Sequence, residues 1–172
     1  LLPPTVVGFY LLVAFGGNTA LGRWLEASIG LRLVFTFEGL LFASILVNLP
    51  FMVQPIQRAF AVIPESLREA AWVSGLSPWR TWWRVELPLA WPGVIAGLAL
   101  TFAHTLGEFG VVLMVGGSIA GQTKTLSIAV YDRVQAFDHA GAASMSIALV
   151  VFSVLALAIA FATARRQTLQ ER

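Results

Sequence analysis

The segment from Ala142 to Ala164 limits the possible folds of this chain most strongly, because its 23 residues include no charged side chain. As a helix rising about 1.5 Å per residue, it would extend about 34 Å, which is enough to cross the hydrocarbon core of a bilayer. Arg165 and Arg166 follow directly and provide a polar flank. The segment therefore predicts a transmembrane helix.

Three further apolar segments approach the length of a span. They run from Leu1 to about Phe15, from Phe37 to about Ile56, and from Leu87 past Leu106. The chain is 58% hydrophobic and only 12% charged, whereas soluble domains carry about 25% charged residues. We therefore predict an all-α polytopic transmembrane helical bundle with four spans. The third span contains Gly93 and Gly97, whose spacing permits close helix approach.

The first segment is short for a complete span, and the chain begins without Met. We expect this span to be truncated, so that residues 1–172 form a single, N-terminally incomplete transmembrane domain. The 172 residues contain no cysteine, which excludes disulfide scaffolds and thiolate metal sites. The basic residues are scattered, which argues against a nucleic-acid partner. No catalytic triad or paired carboxylate is recognisable, and we predict no enzyme, cofactor or metal site.

The basic residues predict an orientation in the membrane. Seven of the eleven Lys and Arg residues fall in the loop between the second and third spans or in the C-terminal tail. Under the positive-inside rule, this loop and the C-terminus are predicted to be cytoplasmic. The seven residues are Arg58, Arg68, Arg80, Arg84, Arg165, Arg166 and Arg172.

The segment 64–88 in that loop predicts two short helices. Pro64 suits a first helical turn, Gly75 a C-terminal stop, and Ser77 with Pro78 the start of a second helix. This second helix is expected to end before Pro88. Five of the six tryptophans of the chain lie at or near this segment and fit either an interfacial aromatic belt or a docking surface. They are Trp72, Trp79, Trp82, Trp83 and Trp91.

The same segment resembles the EAA motif, which marks the permease subunits of binding-protein-dependent ABC importers. The matching residues are Glu69-Ala70-Ala71, Gly75 and Val85-Glu86-Leu87-Pro88, with Val85 at a position where the family usually has Ile. The resemblance implies the type I ABC importer permease fold, with 64–88 as a coupling loop that seats in a cytoplasmic ATPase. Glu69, Ala70, Ala71, Gly75, Leu87 and Pro88 are then the candidate contacts. Glu69 is expected to receive a partner's donor or to brace the loop against Arg68, Arg80 or Arg84.

A second set of segments is similar to the molybdate importer permeases, and sulfate permeases are related. The segments include Leu2–Gly8, Leu106–Gly110 and Gly121–Leu126. The resemblance implies a homodimer in the cytoplasmic membrane of a prokaryote, with two ABC ATPase subunits inside and an external molybdate-binding protein. That protein is expected to meet the loops 17–36 and 116–140. Sulfate, thiosulfate and tungstate remain alternative substrates.

Glu108 is the most costly residue of the third span, because a carboxylate within a bilayer is unfavourable by about 2.5–3.5 kcal/mol. His104 lies four residues earlier on the same helical face. A carboxylate repels an oxyanion, so Glu108 is expected to be a gate, a helix brace or a dimer contact. The pathway candidates are His104, Gly107, Glu108, Phe109 and Gly110. Two rival hypotheses remain, an ion-coupled secondary transporter with Glu108 and His104 as a proton relay, and a non-transporting membrane scaffold.

Overall fold

A computed structural model describes the backbone of residues 3–170 and the side chains of residues 3–159. This part of the chain is helical and contains no β-strand. Its helices are α1 (Pro4–Phe15), α2 (Ala20–Ile29), α3 (Phe37–Ala61), α4 (Glu65–Val73), α5 (Pro78–Thr81), α6 (Leu87–Gly107), α7 (Gly110–Gly116), α8 (Leu126–Gln135) and α9 (His139–Gln170). A π-helical turn, Trp82–Glu86, joins α5 to α6.

Three helical stretches among the described residues are long and apolar enough to cross a membrane: Phe37–Ala61, Pro78–Gly107 and His139–Ile159. Helices α1 and α2 meet at a bend of 66° and together have the composition of a fourth, broken span or of a re-entrant loop. The prediction of an all-α polytopic membrane protein is confirmed. The loops expected at 17–36 and 116–140 contain the additional short helices α2 and α8, and the short helix α7 precedes the second of these loops.

The described chain divides into two compact units. The first comprises Leu1–Asn48 and His104–Val154. Its core is the buried cluster of Ala43, Val111 and Val115. In this unit α1 lies close against α7, because a Cβ added to Gly8 would come within 2.8 Å of the Met114 side chain.

The second unit comprises Leu49–Ala103 and Leu155–Arg172. Here two glycines of α6 lie against the C-terminal half of α3. A Cβ on Gly93 would lie 2.2 Å from the Ala59 Cβ, and one on Gly97 would lie 2.9 Å from the Met52 carbonyl oxygen. Gly93 and Gly97 therefore allow α6 to pack closely against α3, as their spacing in the sequence suggested.

We expect Gly93→Val to destabilise the protein by about 1–3 kcal/mol, because the added side chain meets α3 with no room to relax. The measurement is the midpoint of thermal unfolding in detergent, with Gly17→Val as the matched control. A Cβ on Gly17 meets nothing within 4 Å, so the control should unfold at the parent temperature. Equal midpoints for the two variants would contradict the packing.

Candidate functional sites

The turn after α4 is built as the sequence predicts. Gly75 has φ +84°, a left-handed conformation that strongly favours glycine. The Gly75 N–H donates to the Trp72 carbonyl at 2.9 Å, and the Leu76 N–H donates to the Ala71 carbonyl at 3.1 Å. These two bonds form a Schellman motif, which ends α4 and reverses the chain ahead of α5.

The next helix starts as predicted but does not end before Pro88. Ser77 caps it by accepting the Arg80 N–H, and Pro78 occupies the first helical position. The Leu87 N–H then donates to the Trp82 carbonyl five residues earlier. This wider turn accommodates Pro88, which has no N–H to donate. The prediction of a separate second helix is therefore wrong, because the helical run continues from Pro78 to Gly107.

Arg68 ties the segments around α4 together. Its Nη1 lies 3.0 Å from Glu65 Oε2, and its Nε lies 3.2 Å from Glu86 Oε1 in the π-helical turn. Its Nη2 also donates to the Phe60 carbonyl at the end of α3, at 3.4 Å. The hydrogen bond to Glu65 is the main reason that the pKa of Arg68 is raised above its ordinary value. One guanidinium thus connects α3, α4 and the start of the α6 span.

Most of the predicted coupling residues are exposed. Ala71 is buried and Leu87 is half-buried, whereas four others are exposed: Glu69, Ala70, Gly75 and Pro88. Arg68 pairs with Glu65 and Glu86 instead of Glu69, and no described residue forms an ion pair with Glu69. Glu69 therefore does not brace the loop, and its carboxylate is open to solvent or to a partner.

Three aromatic rings, one from the end of α3 and two from within this loop, stack on one another. Phe60 and Trp82 lie 6.4 Å apart between centroids with planes 4° apart, and Trp82 and Trp79 lie 5.5 Å apart at 13°. Trp83 meets Trp82 edge-on at 4.8 Å. We call Phe60, Trp79, Trp82 and Trp83 the aromatic stack. Its outer members are solvent-exposed, with Trp79 at 67% and Trp83 at 51%.

The second site is a break between α6 and α7. Glu108 is buried in this break, with only 6% of its surface exposed. Its Oε1 accepts the Val111 N–H at 3.2 Å, so the carboxylate caps the first turn of α7. Its backbone carbonyl accepts the Ser127 hydroxyl at 2.8 Å, which attaches the break to α8. Glu108 therefore follows the end of α6 and does not lie inside a continuous helix.

His104 connects the Glu108 break to α3. Its Nδ1 lies 3.0 Å from Asn48 Oδ1 and 3.8 Å from Glu108 Oε2. Asn48 Nδ2 donates to the Ser44 carbonyl at 2.8 Å, so the Oδ1 atom facing the imidazole can only accept. The Nδ1 of His104 consequently carries a hydrogen, and a polar chain runs from α3 through His104 towards Glu108. We call Asn48, His104 and Glu108 the polar chain.

The other pathway candidates surround this break. Gly107 ends α6 in open space, whereas a Cβ on Gly110 would meet Thr5 of α1 at 2.8 Å. Phe109 packs against Tyr131 with ring centroids 4.9 Å apart. Asn48 and Ser127 are site residues that were not predicted from the sequence, although a polar Asn in an apolar span was a usable signal.

These features define an integral membrane protein with several helical spans, a short helix with an organised turn between two of them, and a buried polar site. A family model described as the binding-protein-dependent transport system inner membrane component matches residues 1–168. The chain belongs to this family and is a multi-pass inner-membrane protein.

Similar proteins are permease proteins of transport systems. The chain is 46% identical over 165 residues to the molybdenum transport system permease protein ModB of Azotobacter vinelandii, covering 95% of this chain and 73% of that protein. It is 38% identical over 154 residues to ModB of Haemophilus influenzae, covering 90% and 66%. It is also 34% identical over 156 residues to a probable sulfate transport system permease protein cysT of Chlorokybus atmophyticus, covering 91% and 54%. The chain thus spans between about half and three quarters of the length of these relatives.

Proposed function

We propose that this chain is the transmembrane permease subunit of an ATP-driven ABC importer that moves molybdate across the cytoplasmic membrane. The observation that carries the proposal is its 46% identity over 95% of the chain to a molybdenum transport system permease protein. Residues 1–172 then form one permease domain, and two copies enclose the pathway. The chain itself is not an enzyme, because ATP is hydrolysed in separate partner subunits.

The ATPase contact lies on the loop 64–88 at the cytoplasmic side, where the C-terminus also lies. Its contact residues are Glu69, Ala70, Ala71, Gly75, Leu87 and Pro88. The exposed Glu69 carboxylate and the neighbouring small Ala70 support this assignment, because they leave a polar group and close backbone access for a partner. Arg68 supports it too, since it connects the loop to the start of the Pro78–Gly107 span. Movement of an ATPase would reach the membrane through this connection.

The break at Glu108 belongs to the transport pathway, where Glu108 positions the gate. A buried carboxylate would repel an oxyanion, so Glu108 does not bind the substrate. Its bonds to α7 and α8, and its approach to His104, support the role of a brace that holds the break in one arrangement. The anion arrives from an external binding protein that docks on the side opposite the ATPase.

Uptake by the reconstituted importer tests this function. The full-length subunit is placed in proteoliposomes with its ATPase and binding protein, and radiolabelled molybdate uptake is measured with ATP, without ATP and with excess sulfate. We expect molybdate uptake to require both ATP and the binding protein. Excess sulfate should reduce this uptake only slightly. Sulfate uptake in preference to molybdate would favour the sulfate alternative, for which the Chlorokybus relative is the specific support. Uptake without an ATPase would instead indicate an ion-coupled transporter.

A further inference from the structure

The run Pro78–Gly107 is longer than a bilayer span requires. Its 30 residues extend about 45 Å at about 1.5 Å per residue, whereas the hydrocarbon core is about 30 Å thick. The 21 residues of α6 extend about 32 Å, which matches that core and leaves its first residues, Leu87 and Pro88, at the edge of the core. Helix α5 and the π-helical turn therefore lie at the depth of the lipid headgroups.

The side chains at that depth form a rigid aromatic surface. Trp82 stacks against both Phe60 and Trp79. Trp83 packs edge-on against both Trp79 and Trp82. Indole rings prefer the headgroup region because they combine an apolar body with one N–H donor. The aromatic stack is thus preorganised and presents the exposed faces of Trp79 and Trp83.

Two arginines interleave with these rings. Arg80 and Arg84 are exposed, and neither forms an ion pair with any residue that the structure describes. Arg68 differs from them, because Glu65 and Glu86 already occupy its guanidinium. The acidic side chain nearest in sequence, Glu86, is thereby engaged elsewhere. A net positive surface of two guanidinium groups remains beside the rings.

We propose that Trp79, Arg80, Trp83 and Arg84 bind the headgroup of an anionic phospholipid. The guanidinium groups take the phosphate oxygens, for which their forked donors are suited. The indoles cover the glycerol region next to the first acyl carbons. None of these four residues belongs to the set assigned to the ATPase contact, and guanidinium groups beside indole rings match the phosphate and glycerol regions of a lipid headgroup. The bound lipid would anchor the segment that Arg68 connects to α4.

Lipid retention by the purified full-length subunit tests the proposal. The subunit is placed in nanodiscs of phosphatidylcholine with and without phosphatidylglycerol, then released into the gas phase, and native mass spectrometry counts retained phosphatidylglycerol. We expect R80Q/R84Q to weaken retention by about 30-fold, the effect of removing two surface arginines. Both residues are exposed, so the variant should elute as a single species with parental helix content.

The control variant is R23Q/R32Q, which removes two other exposed arginines and should retain the lipid as the parent does. Unchanged retention by R80Q/R84Q would overturn the proposal, and so would an equal loss in the control, which would indicate unspecific surface attraction. Loss of ATPase co-purification with lipid retention intact would assign the surface to the ATPase instead. The measurement needs no transport, so its failure is distinct from failure of the proposed importer function.

Discussion

Replacing Arg68 with glutamine is expected to lower ATP-dependent uptake by about tenfold, as expected for losing a hydrogen bond to a charged group. The substitution leaves Glu86 without its partner at the start of a span, and it releases Glu65 and the Phe60 carbonyl. Lysine at this position should rescue only partly, because an ammonium group cannot hold the same three acceptors in a fixed fork. Uptake in proteoliposomes measures the effect.

Glu69→Gln is the matched comparison, because Glu69 is adjacent on α4 but exposed. Hydrogen exchange of residues 64–88 should increase in Arg68→Gln and stay at the parental level in Glu69→Gln. Co-purification with the ATPase should fall in both variants. In Arg68→Gln the cause is a disordered loop, and in Glu69→Gln it is the loss of a direct contact. If exchange is unchanged in Arg68→Gln, Arg68 is not the brace of this loop.

The sequence predicts the long helices and several of their ends, because those signals are local. Uncharged runs mark the spans, Gly75 marks the end of α4, and Ser77 with Pro78 marks the next start. The helical continuation through Pro88 differs from the prediction because proline usually signals a break, whereas here a π-helical turn precedes Pro88 and the helix continues. Short helices such as α7, with 7 residues, are marginal in isolation. They depend on tertiary contacts such as Gly110 against Thr5.

In the candidate sites, too, the local features could be predicted from the sequence and the long-range contacts could not. Glu108 stands out in the sequence because a carboxylate in an apolar segment is costly, and His104 is its local neighbour. The partner of His104 is Asn48, which is 56 positions away, and the pairing of Arg68 with Glu86 crosses 18 positions. With one sequence, no local rule selects these partners. The ion pair between Arg68 and Glu65 is the exception, because residues three positions apart on a helix are neighbours, whereas the adjacent Glu69 does not face Arg68.

Glu108 provides the second large effect, and two substitutions separate its two roles. Glu108→Leu removes the acceptor for the Val111 N–H and should cost about 1.5–3 kcal/mol of stability, the range for a hydrogen bond to a charged group. Glu108→Gln keeps an amide oxygen that can cap α7 but loses the attraction for His104. We expect near-parental unfolding for the Gln variant, together with a clear loss of uptake. Thermal unfolding and proteoliposome uptake are measured on the same preparations.

Asn48→Leu decides whether that loss acts through the polar chain. It removes the acceptor of the His104 Nδ1 hydrogen while leaving the Glu108 cap on α7 intact. Asn48→Leu should therefore lower uptake as much as Glu108→Gln does. The double variant with both substitutions should lose little more, because the effects of substitutions in one hydrogen-bonded network do not add. Glu38→Gln, an exposed carboxylate at the start of α3, should transport normally. If the uptake losses of Asn48→Leu and Glu108→Gln were fully additive, Asn48 and Glu108 would act independently. If Glu108→Gln left transport and assembly unchanged, Glu108 would have no role in the gate. Its burial would then be explained by the helix cap alone.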